Sequence, residues 1–182
     1  FSLNHTFIFY YILMEEIKSI KHNLENKQPS NIEAEQSLLG SILVNNDIID
    51  EISTLVNSNI FYDPGHIKIY EVIEYLNNKG MIANPITLKN FFEKDNMLKE
   101  VGGTEYLVKL TRFSGSVKQA IDYAKIIHEM YLRRELIKIS DQLTSDTLNA
   151  NSGEQNAENI IEGTEKSLFD LAERGSFSQS FL

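Results

Sequence analysis

Residues 30–43, Ser30-Asn31-Ile32-Glu33-Ala34-Glu35-Gln36-Ser37-Leu38-Leu39-Gly40-Ser41-Ile42-Leu43, read as a capped amphipathic helix. Ser30 and Glu33 stand at capping-box spacing, where each side chain satisfies a backbone N–H left open at a helix start. Ile32, Gln36, Leu39 and Leu43 share one face, with Leu38 and Ile42 beside them. Gly40 sits mid-helix at a cost of about 1 kcal/mol against Ala. A glycine kept there predicts a second backbone packed against it.

The segments that follow are short and well punctuated. Asn45-Asn46-Asp47 predicts a turn and cap, and Ile48, Ile49, Ile52 and Leu55 form an apolar stripe after it. Ile60-Phe61-Tyr62 reads as a buried connector. Asp63 caps a helix with Pro64 at its favoured first position. That helix runs to about Asn78, with Ile67, Tyr70, Ile73 and Leu76 on one face, and Lys79-Gly80 ends it. Asn84-Pro85-Ile86-Thr87 opens a helix carrying Leu88, Phe91 and Phe92. Gly102-Gly103-Thr104 opens another carrying Tyr106, Leu107 and Leu110, and Ser114-Gly115-Ser116 closes the region.

The character then changes. From Val117 to about Leu143 there is no Gly or Pro, and Ala120, Ala124, Ile127 and Tyr131 recur at helical spacing. Thr144 to Asn156 reads as a polar hinge. Ala157, Ile161, Thr164, Leu168 and Leu171 then step in heptad-like fashion. The expected architecture is all-α: a compact multi-helix head over 29–115, followed by an antiparallel helical hairpin over 116–174. Residues 1–28 are expected to be an N-terminal extension with a helix from about Ile8 to Leu24, and Met14 is an alternative first residue. Residues 175–182 have linker composition and are expected to lead to a further domain. Two helices alone bury little apolar surface, so the hairpin stripes call for a partner, either the head or a second copy.

Composition narrows the function. The 182 residues carry a net charge of −9 and no cysteine, which excludes disulfides and thiolate metal sites. Residues 30–115 hold twelve acids against seven bases, and residues 116–182 hold eleven against seven. No segment is a basic patch of the kind that grips DNA phosphates. The apolar run Phe7–Met14 is far shorter than the ~20 residues of a membrane span. No G-x-x-x-x-G-K-[ST] phosphate loop and no G-x-G-x-x-G occur. His128-Glu129 starts like a zinc-protease helix, but Leu132 stands where the second ligand would be, so His128 reads as an ordinary hairpin residue. The paired acids Glu33/Glu35, Asp47/Asp50/Glu51 and Glu71/Glu74 fall in first helical turns or on solvent faces. No catalytic, cofactor or metal residue is expected, and the chain alone is not expected to be an enzyme.

Several motifs together resemble one family. They are Ile32-Glu33-Ala34-Glu35-Gln36 with Leu38-Leu39-Gly40, then Phe61-Tyr62, His66 and Ile69-Tyr70, then Ile86-Thr87-Leu88. Gly102-Gly103-Thr104-Glu105-Tyr106-Leu107, Tyr123-Ala124-Lys125-Ile126-Ile127 and Arg134-Glu135-Leu136-Ile137 follow in order. Across about residues 29–172 this resembles the N-terminal domain of the bacterial replicative DNA helicase, the DnaB type. Asn84-Pro85 departs from the Asp common in that family, but Asn also caps.

The resemblance implies a cytoplasmic, ring-shaped hexamer that unwinds DNA in the primosome. Its ATP- and Mg-using motor would lie beyond this chain, and DNA would be engaged only through the full-length ring. It implies pairing of hairpins between subunits into a trimer of dimers, and docking of primase and of a helicase loader. Interface candidates are Ile121, Ile127, Tyr131, Leu136, Ile139, Ile161, Leu168 and Leu171 for packing. Tyr106 and Glu33 are candidates for primase docking or communication, and Arg134 for an inter-helix or inter-subunit ion pair. The competing readings are a stand-alone helical protein-interaction adaptor, a direct DNA binder and an unrecognised hydrolase.

Overall fold

A computed structural model describes residues 28–94, 99, 102–149 and 156–176. The expected leader helix and residues 177–182 lie outside the described residues. The regular elements are all helical: α1 (Ile32–Val44), α2 (Ile48–Ile52), a 3-10 turn (Ser58–Ile60), α3 (Pro64–Asn78), α4 (Pro85–Lys94), α5 (Gly103–Thr111), α6 (Val117–Asn149) and α7 (Ala157–Ser176). The first five helices and the N-terminal third of α6 make the head. The rest of α6 and α7 make the hairpin.

α1 is the central helix, packed mainly between α5 and α6. Its cap is Asn31, whose Oδ1 accepts from Ala34 N–H at 3.0 Å. The expected Ser30/Glu33 box is therefore displaced by one residue: Asn caps as well as Ser does, and this start leaves Glu33 in the first turn facing solvent. Ala34, Glu35 and every residue from Leu38 to Leu43 are buried, so α1 is enclosed on more than the one expected face. The close approach predicted at Gly40 is real. A Cβ there would lie 2.0 Å from the Leu110 carbonyl oxygen at the end of α5. Ser41 fastens the same crossing, its hydroxyl donating to Ser37 O at 2.7 Å and accepting from Gly115 N–H at 2.9 Å.

The α2 stripe is fully buried, with Ile48, Ile49, Ile52 and Leu55 in the core. Asp47 itself makes no side-chain cap bond. Asn46 does the structural work in that turn. Its amide donates to Ile42 O and Ala83 O and its Oδ1 accepts from Ala83 N–H, all within 2.8 Å, which pins the loop before α4 to the end of α1.

Asp63 caps α3 through Gly65 and His66 N–H, with Pro64 at the first position. Gly80 closes α3 at φ 69°. Its N–H reaches Asn77 O and that of Met81 reaches Leu76 O, the paired bonds of a Schellman ending. Asn84 caps α4 by accepting from Ile86 and Thr87 N–H, and Thr87 Oγ1 returns the bond by accepting from Asn84 N–H.

The expected hinge begins later than its composition suggests. α6 runs on through Asn149. No Gly or Pro interrupts residues 144–149, and Thr144 and Thr147 satisfy their hydroxyls on carbonyls one turn back. Likewise α7 takes in Gly175 and Ser176, two residues beyond the expected end of the hairpin.

Candidate functional site

Two arrangements stand out, a buried polar chain inside the head and an uncovered apolar stretch on the hairpin. The polar chain joins α1, α3 and α5. Glu35, buried in α1, accepts from Tyr62 N–H at 2.7 Å, from Asp63 N–H at 3.3 Å and from His66 Nδ1 at 2.6 Å. The other nitrogen of His66, Nε2, lies 2.6 Å from the Tyr106 hydroxyl, which also accepts from Gln36 Nε2 at 3.1 Å. His66 and Tyr106 stack nearly parallel, 8° apart.

Burial pushes the Tyr106 phenol above its ordinary pKa. The Gln36 hydrogen bond opposes the shift, and the Asp63 and Glu35 charges add to it. The phenol keeps its proton at neutral pH and so can donate to Nε2, an arrangement in which Nδ1 turns its N–H to Glu35. Every polar atom of the chain has a partner in this assignment. Tyr106 is half-buried and packs against the core, with its hydroxyl engaged by His66 and Gln36.

Arg134 belongs to the same neighbourhood. Only 6% exposed, it donates from Nη1 to Pro29 O at 2.8 Å and from Nη2 to Ile60 O at 2.6 Å. Its guanidinium also lies 5.6 Å from the Tyr62 ring centre. Burial lowers its pKa, while Glu35 and Glu135 favour the charged form. Within the chain the guanidinium ties α6 to two backbone carbonyls of its own head.

The packing candidates divide by position. Ile127 is in the head core, and Ile121 and Tyr131 are packed against it. Leu171 is buried where α7 meets α6, and Ile139 is part-buried between the two helices. Leu136, Ile161 and Leu168 are 48%, 57% and 42% exposed. Phe169, absent from the expected set, is 63% exposed beside Leu168. It fell outside the heptad steps from which the set was drawn. Near the head the hairpin is closed by Leu171 and by Arg174, which donates to the Tyr131 hydroxyl at 3.3 Å. Further out the helices part around a groove of about 420 Å³ lined by Ile139, Gln142, Leu143, Ile160, Gly163 and Thr164. Small side chains on α7 leave that groove unfilled.

The family described as DnaB-like helicase N terminal domain matches residues 27–129, which hold α1 to α5, the polar chain and the start of α6. The chain belongs to this family. Relatives extend the likeness along the hairpin. The replicative DNA helicase DnaB of Rickettsia bellii (strain RML369-C) is 43% identical over 153 residues, 84% of this chain and 30% of the relative. That of Pasteurella multocida (strain Pm70) is 30% identical over 150 residues, 82% of this chain and 32% of the relative. The chain thus spans about a third of the length of the curated DnaB relatives it matches.

The crystal structure of the N-terminal domain of DnaB helicase from Mycobacterium tuberculosis superposes with a TM-score of 0.72 at 25% identity, covering 79% of this chain and 99% of that one. A DnaB-like replicative helicase whose structure was described with its interactions with primase shares the fold, with a TM-score of 0.63 at 23% identity, covering 78% of this chain and 31% of that one. The all-α head and hairpin are thus those of a DnaB N-terminal domain. Among the described residues no group of three or more His, Cys, Asp or Glu is placed to hold a metal ion, and no helix is long and apolar enough to cross a membrane.

Proposed function

We propose that this chain is the assembly and partner-docking part of a cytoplasmic replicative helicase whose ATP- and Mg-dependent motor follows it. The proposed division is a head over 29–115 and, over 116–174, a hairpin whose first helix begins packed into that head. The observation that carries this reading is the exposed apolar surface of the hairpin. Leu136, Ile161, Leu168 and Phe169 stay exposed although α6 and α7 are already paired. Full burial of such a side chain is worth about 1.5–3 kcal/mol. Hairpins of neighbouring subunits cover these residues and fill the groove, building dimers and then a trimer of dimers in a hexamer. Ile121, Ile127 and Tyr131 fix each hairpin on its own head, and Ile139 and Leu171 hold α6 and α7 together.

Primase and a helicase loader dock on the outer surface of this assembly, and DNA is engaged through the full ring. Half-buried Tyr106, stacked on His66, is the proposed primase contact, with exposed Glu33 on the neighbouring α1 turn. The net charge of −9 supports protein partners over direct DNA contact.

Co-expression of a tagged and an untagged copy tests the assembly. The untagged chain should be recovered with the tagged one, and Ile161→Glu with Leu168→Glu should abolish the recovery. Failure of the unsubstituted pair to co-purify overturns the assembly reading. Retention of primase's C-terminal region by the chain tests docking, and binding unchanged by Tyr106→Ala removes Tyr106 from the contact.

A further inference from the structure

The chain carries −9, yet one interval of it has the opposite sign. No Asp or Glu stands between Glu105 and Asp122, whereas Lys109, Arg112 and Lys118 fall inside those bounds. The interval covers most of α5, the turn over 112–116 and the first turn of α6. All three cations are exposed, and among the described residues none is paired with a carboxylate. Apolar side chains stand among them. Val108, Phe113 and Val117 are 43%, 39% and 38% exposed. The Lys109 ammonium lies 5.9 Å from the centre of the Phe113 ring.

This surface is firmly held. Gly115 N–H donates to Ser41 Oγ at 2.9 Å, which fastens the turn to α1, and Leu110 at the end of α5 is seated against Gly40. The start of α6 is satisfied from within. Ser116 Oγ accepts from Gln119 N–H at 3.3 Å, and Gln119 Oε1 accepts from Ser116 N–H at 2.9 Å. The local fold therefore leaves the three side-chain charges unused. Gathered on one surface of an acidic chain, they set up a local field that draws anions.

Two kinds of polyanion suit a cationic surface, an acidic peptide and a nucleic-acid strand. The limits of this surface favour the peptide. Glu105 and Asp122 bound it, and three cations neutralise only a few phosphates of a strand that runs on over acidic surroundings. Val108, Phe113 and Val117 also call for an apolar side chain between the charges, the pattern of an apolar anchor inside a polar rim. We propose that the end of α5 and the start of α6 dock a short acidic segment of a partner protein. A large apolar side chain of that segment packs on Phe113, and its carboxylates meet Lys109, Arg112 and Lys118. This inference depends neither on the hairpin assembly nor on Tyr106.

The test is fluorescence anisotropy of labelled peptides titrated with the whole chain. EELFEE is the probe. QQLFQQ removes its charge, EEAAEE removes its apolar anchor, and single-stranded oligothymidylate is the nucleic-acid comparison. The probe should bind saturably and more weakly as salt rises. Both altered peptides should bind about fivefold more weakly or worse. Arg112→Gln with Lys118→Gln, both on the surface, should weaken the probe by about fivefold at unchanged helix content. Lys166→Gln, on α7, should leave it unchanged. No saturable binding of the probe, equal binding of QQLFQQ, or unchanged affinity in the double variant overturns the proposal. Oligothymidylate binding more tightly than the probe, and losing affinity in the same variant, overturns it in favour of nucleic acid.

Discussion

His66 Nε2 stands 2.6 Å from the Tyr106 hydroxyl, and this bond links α3 to α5 across the inside of the head. Through Nδ1 the same ring reaches Glu35 in α1. Removing the hydroxyl by Tyr106→Phe leaves Nε2 with no donor and frees Gln36. The expected loss is about 1–3 kcal/mol, read as a lower urea midpoint at unchanged slope. Glu35→Ala should cost more, about 3–5 kcal/mol, because it strips the histidine and two backbone N–H groups at once. Equal midpoints for Tyr106→Phe and the parent would mean that the chain of bonds adds nothing to stability.

Gly40 offers a test in which propensity and packing have opposite signs. In an exposed helix Gly→Ala gains about 1 kcal/mol. Here the added Cβ meets the Leu110 backbone at 2.0 Å, so α5 must move away from α1. Gly40→Ala should destabilise by about 1–3 kcal/mol or more. A raised melting temperature would show that the two helices are not in this contact.

Much of the head could be read locally because its signals are local. Asp63-Pro64, Lys79-Gly80 and Asn84-Pro85 act within four residues, and they mark helix ends where the structure has them. The polar chain was not readable in this way. Glu35 and His66 are 31 residues apart, and His66 and Tyr106 are 40 apart. Glu35 reads as a first-turn acid until the fold brings His66 to it. Gly40 announced a close neighbour without naming Leu110. Arg134 was read as a candidate for an inter-helix or inter-subunit ion pair, and nothing in the local pattern shows that Pro29 and Ile60 turn their carbonyls toward α6. The expected hinge was placed too early because polar composition alone does not stop a helix lacking Gly and Pro.

Arg134→Lys tests the carbonyl fork. A lysine keeps the charge but cannot reach Pro29 O and Ile60 O together in one plane. Losing one charged hydrogen bond should cost about 1.5–3 kcal/mol. Amide exchange should quicken at residues 60–62 first, and exchange unchanged there would remove the guanidinium as their anchor.

Glu74 supplies the pH dependence. Burial, with Glu71 adding repulsion, raises its pKa above the ordinary carboxylate value. The folded chain thus holds that proton more tightly than the unfolded chain does. This contribution to stability is complete below the unfolded pKa and is lost as pH rises through the folded one. Glu74→Gln should therefore stabilise modestly at pH 7, and the advantage should vanish in acid below the ordinary carboxylate pKa. An advantage that persists unchanged in acid would show that the gain is not electrostatic.

Sedimentation equilibrium of the 20.9 kDa chain bears most directly on the claim that the hairpin is built to be covered by another copy. The mass should rise with concentration to at least twice that of one chain. Ile161→Glu with Leu168→Glu should return it to a single chain at unchanged helix content. A mass of 20.9 kDa at every concentration, for the unsubstituted protein, would contradict the account.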